Sequence, residues 1–237
     1  MTQSTEHPDS PVRVDAVLDP GLSRWKWLVK WILAIPHFVV LVFLFLAFLV
    51  LTVVAFFAIL FTARYPRWIF DFNVGVLRWS WRVSYYAGGV LGTDRYPPFT
   101  LADVPDYPAR LQIAYPERLS RGLVLVKAWL LALPHLLVVT AFTSAAYGGA
   151  YMARGDEASE YGTGTGGPGL LYLLVLIAAV ALLFTGRYPR GIFDFVMGLN
   201  RWSLRVSAYV ALMTDRYPPF RLDQGGPDPA GVSEPLR

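Results

Sequence analysis

Two sets of charged residues stand at helical spacing inside strongly apolar sequence. The sets are Asp71, Arg78 and Arg82, and Asp194, Arg201 and Arg205. Residues separated by three, four or seven positions share one face of a helix, so we call each set a stripe. A stripe could hold lipid phosphate at the membrane interface, or lock helices together as a buried ion network. A third interpretation is a conducting path or proton relay within the membrane.

Two histidines add a second kind of chemistry. His37 and His135 each follow a proline within an apolar segment. Each imidazole could satisfy the backbone carbonyl that the proline leaves free, or the two histidines could meet as a ligand or proton-handling pair. Neither histidine stands in a metal-binding motif, and no phosphate loop or dinucleotide fingerprint accompanies them. We therefore predict no metal, no cofactor and no enzymatic activity.

The stripes and the histidines occur twice because the chain repeats itself. The segment 61–86 returns with few changes as 184–209, and the string Thr-Asp-Arg-Tyr-Pro-Pro-Phe occurs after both segments. Internal matches of this length indicate a tandem duplication. The predicted divisions are a disordered tail over 1–10, repeat 1 over 11–101, a linker over 102–107, repeat 2 over 108–222 and a disordered tail over 223–237.

Each repeat is predicted to contain the same series of elements. Period-two alternation predicts a short strand at the start, over 12–17 and 110–115, and the two strands could pair. Two apolar helices follow. An Arg-Tyr-Pro-Arg turn then leads into a third helix, which carries the stripe over about 67–92 or 190–213.

An insertion in repeat 2 predicts how the two apolar helices are connected. Repeat 2 is about 25 residues longer than repeat 1, and the extra residues include a polar extramembrane loop over 148–168. The matching point in repeat 1 is near residue 46. Because large insertions are tolerated at loop tips, the two apolar helices are predicted to form a membrane hairpin in both repeats.

Composition places these elements in a membrane. The chain is 55% hydrophobic and 16% charged, with a mean hydropathy of +0.43, which is too apolar for an ordinary soluble domain. No residue over 38–61 is ionisable, and about 20 apolar residues suffice to cross a bilayer. The predicted fold class is an all-α membrane protein with two tandem repeats. Each repeat is a transmembrane helical hairpin followed by an interfacial amphipathic helix.

The placement of charge predicts the orientation. If each repeat crosses the membrane twice, nearly every lysine and arginine lies on the side of the termini. The positive-inside rule then places both termini in the cytoplasm of a multi-pass plasma-membrane protein. An alternative with six crossings would place several arginines outside. The absence of cysteine excludes disulfides, thiolate metal sites and cysteine nucleophiles.

The repeated strings resemble those of a known family. They are FTGRYPRGIFDF at 184–195, RWSLRVSAY at 201–209 and TDRYPPF at 214–220. They are similar to a bacterial membrane-protein family, domain of unknown function family 4389. The resemblance covers roughly 11–222. It implies an integral membrane protein of the bacterial inner membrane, with no assigned activity and no catalytic residues.

The repeated motifs favour a binding protein over an enzyme. Their arginines and tyrosines could hold anionic lipid or the acidic segment of a partner, or serve structure alone. We predict a non-enzymatic membrane component that binds anionic headgroups or a partner membrane protein, which includes a second copy of the chain, and no nucleic acid. The alternative is a small oligomeric transporter or channel with a path between the repeats, lined by His37, His135 and the stripes.

Overall fold

A computed structural model describes residues 10–143 and 169–224. The predicted loop over 148–168 and almost all of the two predicted tails lie outside these residues. The helices are α1 (Trp27–Leu33), α2 (Ile35–Thr62), α3 (Arg67–Ala87), α4 (Arg121–Val126), α5 (Leu133–Thr143), α6 (Leu170–Thr185) and α7 (Arg190–Val210), with a π-helical turn over Lys127–Leu131.

Two short strands join the repeats. β1 (Val12–Ala16) pairs antiparallel with β2 (Ala109–Ile113), and buried residues alternate along both strands as the sequence pattern predicted. At the centre of the ladder, Val14 pairs with Leu111, which is its counterpart in the other repeat. A residue paired with its own counterpart lies on an approximate two-fold axis. The two repeats are therefore related by a rotation about this pair.

The long apolar segment of repeat 1 is one continuous helix. α2 has 28 residues, so it is about 42 Å long at 1.5 Å per residue. Its buried residues are His37, Leu41, Ala55 and Ile59, near the two ends. Among the described residues, α2 is the one helix long and apolar enough to cross a membrane. The tight hairpin predicted near residue 46 is wrong, because α2 continues through that position.

Repeat 2 has two helices where repeat 1 has α2. By position, α5 matches 35–45 and α6 matches 47–62. Both helices contact α7, as α2 contacts α3, and they also contact each other. The two helices α5 and α6 therefore each pack on α7. The insertion between them stands where repeat 1 has the single residue 46 of α2. This explains why the insertion did not mark a turn in repeat 1.

The stripe-bearing helices are amphipathic, but they are largely buried. α3 contacts both α2 and β2, and α7 contacts both α6 and β1. Most side chains of α3 are buried, including the large rings of Trp79, Trp81 and Tyr85. These helices therefore do not present a largely free polar face, and their placement at a membrane interface stays a prediction. Their polar faces meet other parts of the protein, where backbone carbonyls replace lipid headgroups as acceptors.

Candidate functional site: buried charges and two exposed arginine rims

The first arginine of each stripe ties the repeats together. Arg78 donates Nε to the carbonyl of Leu111 at 2.9 Å, and Arg201 donates Nε to the carbonyl of Val14 at 2.9 Å. Each arginine thus reaches the strand of the other repeat at the residue on the two-fold axis. Arg201 is fully buried and also donates Nη1 to the carbonyl of Asp223 at 2.7 Å.

The second arginine of each stripe holds the segment that follows its helix. Arg82 donates Nη1 to the carbonyl of Ala102 at 3.1 Å. Arg205 instead forms an ion pair with Asp223, with 2.5 Å between Nη1 and Oδ2, and Arg221 approaches the same carboxylate at 2.6 Å. Burial raises the pKa of Asp223, but hydrogen bonds from the two guanidinium groups outweigh it and lower that pKa below its ordinary value.

The aspartates of the stripes lie elsewhere. The side chain of Asp71 is 59% exposed and lies 3.4 Å from Nε of Arg67, one turn earlier on α3. Asp194 holds the equivalent position on α7 and is half-buried. The predicted ion network between the aspartates and arginines of a stripe is therefore wrong. The acceptors of Arg78 and Arg82 are backbone carbonyls instead. Spacing along one helix could not reveal acceptors that come from other segments.

The two predicted histidines are buried in separate aromatic cages. His37 accepts a hydrogen bond at Nδ1 from Nε1 of Trp79 at 3.0 Å and stacks on Phe99, with ring centroids 3.9 Å apart. His135 stacks on Phe220 at 4.0 Å in the same manner. Every ring in a cage comes from the same repeat as its histidine, and the two cages share no residue. The histidines therefore serve as packing centres within each repeat.

Sequence analysis missed a buried lysine in each repeat. Nζ of Lys30 lies 2.7 Å from a carboxylate oxygen of Asp94, and Nζ of Lys127 lies 2.7 Å from Asp215. Both lysines also donate to a neighbouring carbonyl and lie 5.3 Å from a tyrosine ring centroid. Burial lowers the pKa of both lysines, and the carboxylates oppose this effect only in part. The sequence did contain one signal for these ion pairs, because both the lysines and the aspartates stand at equivalent positions in the two repeats.

The tyrosines of the Arg-Tyr-Pro turns are buried contacts between the repeats. Tyr65 donates its hydroxyl to the carbonyl of Ala211 at 3.4 Å, and Tyr188 donates to the carbonyl of Val90 at 2.7 Å. Burial raises the pKa of Tyr65 to about 12, so its hydroxyl stays protonated and able to donate. Each turn thereby contacts the segment that follows the stripe-bearing helix of the other repeat, α7 or α3.

Exposed arginines surround these turns in two groups, which we call the arginine rims. Rim 1 consists of Arg64, Arg67, Arg118 and Arg121, and rim 2 consists of Arg24, Arg187 and Arg190. In rim 1, the backbone N–H of Leu119 donates to the carbonyl of Ala63 at 2.9 Å and so holds 118–121 beside the end of α2. In rim 2, the guanidinium of Arg24 packs against Gly186. Each rim lies at the C-terminal end of an apolar helix.

A comparison with models of known protein families identifies the family of the chain. A model of a domain of unknown function, DUF4389, matches residues 24–100 and 169–221, just over half of the chain. The chain belongs to the DUF4389 family. The two matched segments are consistent with a duplicated domain. No curated protein and no solved structure matches the chain.

The DUF4389 match covers only part of the pseudo-symmetric arrangement. Lys30, His37 and Asp94 lie within the first matched segment, whereas Lys127 and His135 lie between the two segments. The contacts of these residues nevertheless correspond pair by pair across the repeats. Within residues 10–143 and 169–224, no three His, Cys, Asp or Glu side chains are grouped so as to hold a metal ion.

Proposed function

We propose that this DUF4389 protein is a membrane-embedded, non-enzymatic component that binds anionic lipid headgroups through its two arginine rims. In this proposal, α2 and the α5–α6 pair lie in the bilayer, and each rim lies at its boundary. The observation that carries the proposal is the convergence of exposed arginines from separate segments at the end of an apolar helix. An arginine guanidinium matches the geometry of phosphate oxygens.

The apolar surface of the helices that end at the rims supports the proposal that these helices lie in the bilayer. The middle of α2 exposes large aliphatic and aromatic side chains, among them Phe43, Leu46, Leu49 and Val53. α6 likewise exposes Leu173, Leu176 and Ile177. Contiguous apolar surface of this kind marks a contact with lipid or another protein. Phe61 and Phe184, next to the rims, are also strongly exposed.

The rims, rather than the stripes, are the groups available to lipid. Arg78, Arg82 and Arg201 already donate to backbone carbonyls. A headgroup could recruit them only by leaving those buried acceptors without a donor, which costs about 1–3 kcal/mol for each group. The rim arginines are exposed and face no such cost. Each basic side chain near an anionic surface contributes about 1 kcal/mol to membrane binding.

The proposal includes a location and an orientation. The concentration of positive charge in the rims favours the cytoplasmic side of the plasma membrane for them, and with them for the chain termini, under the positive-inside rule. Nothing in the described residues favours the transporter alternative, because His37 and His135 are enclosed in separate cages rather than lining a common path.

The test is a comparison of the lipids that remain bound after purification in a neutral detergent. The rim variant changes Arg64 and Arg187 to Gln, one exposed arginine from the equivalent position of each rim. A matched control changes Arg95 and Arg216 to Gln, because both are exposed, hold equivalent positions and lie outside the rims. The wild type and the control are expected to retain phosphatidylglycerol in preference to phosphatidylethanolamine. The rim variant is expected to retain at least tenfold less phosphatidylglycerol, and equal retention would refute the proposal.

A further inference from the structure

The two rims differ in one respect that bears on what they bind. A cavity of about 400 Å³ opens beside rim 2, between the segment that follows β1 and the turn that joins α6 to α7. Its apolar wall includes Leu18, Leu22 and Leu182, and its polar wall includes Arg187 and Arg190. A cavity of this size is within the range of small-ligand sites, which combine apolar walls with a few charged groups.

The equivalent place in repeat 1 is filled by a tyrosine. Tyr115 is the counterpart of Leu18, in the same alignment that pairs Val14 with Leu111. Its hydroxyl donates to the carbonyl of Tyr65 at 2.5 Å. Its ring packs edge-on against Phe70, with centroids 5.0 Å apart. Leucine is shorter than tyrosine and has no hydroxyl, so Leu18 cannot make the contacts at rim 2 that Tyr115 makes at rim 1.

In repeat 1, the tyrosine that fills this place also contacts a rim arginine, Arg67. The guanidinium of Arg67 lies 4.4 Å from the ring centroid of Tyr115, in a cation–π contact. Its counterpart in rim 2 is Arg190, which borders the cavity. Leu18 has no aromatic ring to offer this arginine. A phosphate in the cavity would therefore meet the guanidinium of Arg190, whereas the guanidinium of the equivalent Arg67 already contacts Tyr115.

A third arginine of rim 2, Arg24, lies against a glycine that lines the cavity. A Cβ atom built on Gly186 would lie 2.6–2.9 Å from the guanidinium atoms of Arg24, so Arg24 can pack there only against glycine. Repeat 1 has Ala63 at the equivalent position, and its methyl group excludes the same contact. Gly186 itself lines the cavity. One acidic residue, Asp19, also borders it, and its carboxylate accepts a hydrogen bond from Thr93.

We infer that the cavity at rim 2 binds the phosphate of one anionic phospholipid, with the first part of an acyl chain against the leucine wall. The inference rests on the proposed lipid binding by the rims and assigns it a specific site. Guanidinium groups bind phosphate oxygens with paired, charge-assisted hydrogen bonds. The apolar wall and the neighbouring exposed face of α6 favour a phospholipid over free phosphate. Rim 1 binds lipid only weakly in this account, because Tyr115 fills its site.

The repeats supply matched variants for the test. Leu18→Tyr copies the filled site of rim 1 into rim 2, and Tyr115→Leu with Ala63→Gly copies the open site of rim 2 into rim 1. Phosphatidylglycerol is titrated into each protein in neutral detergent, and bound lipids are counted by native mass spectrometry. We expect one tightly bound lipid in the wild type, at least tenfold weaker binding in Leu18→Tyr, and two tightly bound lipids in the opened variant.

The outcomes separate this inference from the proposed function. If the wild type has no preference for phosphatidylglycerol over phosphatidylcholine, the rims do not bind anionic lipid and the proposed function fails. If that preference is present but neither variant changes the number of bound lipids, the cavity is not the site. If inorganic phosphate at the same concentration displaces the lipid, the ligand is soluble phosphate and the phospholipid inference is overturned. Should Leu18→Tyr fail to fold, the opened variant decides alone.

Discussion

Replacing Arg201 with methionine removes the most deeply buried link between the repeats. Arg201 donates to the carbonyls of Val14 at 2.9 Å and Asp223 at 2.7 Å, and its side chain is fully buried. Methionine fills a similar length of the site but donates nothing. The natural comparison is Arg78→Met, because Arg78 makes the equivalent bond to Leu111 at 2.9 Å from a partly exposed position.

The expected magnitudes follow from these hydrogen bonds. A hydrogen bond to a charged group contributes about 1.5–3 kcal/mol. Arg201→Met loses at least the bonds to Val14 and Asp223, and we expect it to lower the free energy of unfolding by about 3–6 kcal/mol. Arg78→Met loses one from a site that water can partly reach, and we expect a decrease of about 1–3 kcal/mol. Arg201→Lys should recover only part of the loss, since an ammonium group lacks the planar fork of donors.

The assay is reversible unfolding of each variant in mixed detergent micelles, followed by tryptophan fluorescence as the denaturing detergent increases. Parallel measurements at two protein concentrations check that the transition is unimolecular. If Arg201→Met is no less stable than Arg78→Met, or lies within 1 kcal/mol of the wild type, the inter-repeat role of the stripe arginines is refuted.

Three further substitutions test other parts of the account. Ala63 has a φ of 57°, so Ala63→Gly should raise the free energy of unfolding by about 0.5–1 kcal/mol in the same assay. Asp94→Asn leaves the charge of Lys30 without its carboxylate, and should cost about 3 kcal/mol if the ion pair supports the fold; adding Lys30→Met should recover part of that cost, and no recovery would count against it. Asp223 has a lowered pKa in the folded protein, so its contribution to stability is present above the ordinary pKa of an aspartate and is lost as the pH falls through the lowered value. Melting temperatures between pH 6 and pH 2.5 should therefore fall less steeply in Asp223→Asn than in the wild type, and parallel curves would contradict this role.

The elements with a strong local pattern could be predicted from the sequence. Alternation of apolar and polar residues predicted both strands. The Pro residues of the Arg-Tyr-Pro turns predicted where α3 and α7 begin, at Arg67 and Arg190, because proline favours the start of a helix. The internal repetition predicted the correspondence between the two halves. Each of these signals can be read from residue types alone, without knowledge of which segments meet in space.

The features that sequence analysis misjudged depend on distant partners. The acceptors of Arg78 and Arg201 are backbone carbonyls of the other repeat, and a carbonyl has no residue type that a pattern could reveal. The side-chain pairs of Lys30 with Asp94 and Lys127 with Asp215 cross a large sequence separation. The hairpin was predicted from an insertion, whereas an uninterrupted apolar run over 38–61 favours a helix.

The most direct test of the membrane account is the environment of α2 in a bilayer. The natural chain has no cysteine, so single cysteines at Leu46, Thr62 and Gln112 can each carry a nitroxide spin label. These positions are the exposed middle of α2, its end at rim 1 and the exposed face of β2. The measurement compares collisions of each label with dissolved oxygen and with a water-soluble nickel complex after reconstitution into liposomes.

If α2 lies in the bilayer, the label at Leu46 meets oxygen and is shielded from nickel, and the label at Gln112 shows the reverse. The label at Thr62 should lie between the two, at the boundary where rim 1 meets the headgroups. If the label at Leu46 is as accessible to nickel as the label at Gln112, α2 does not lie in the bilayer, and the central claim is contradicted.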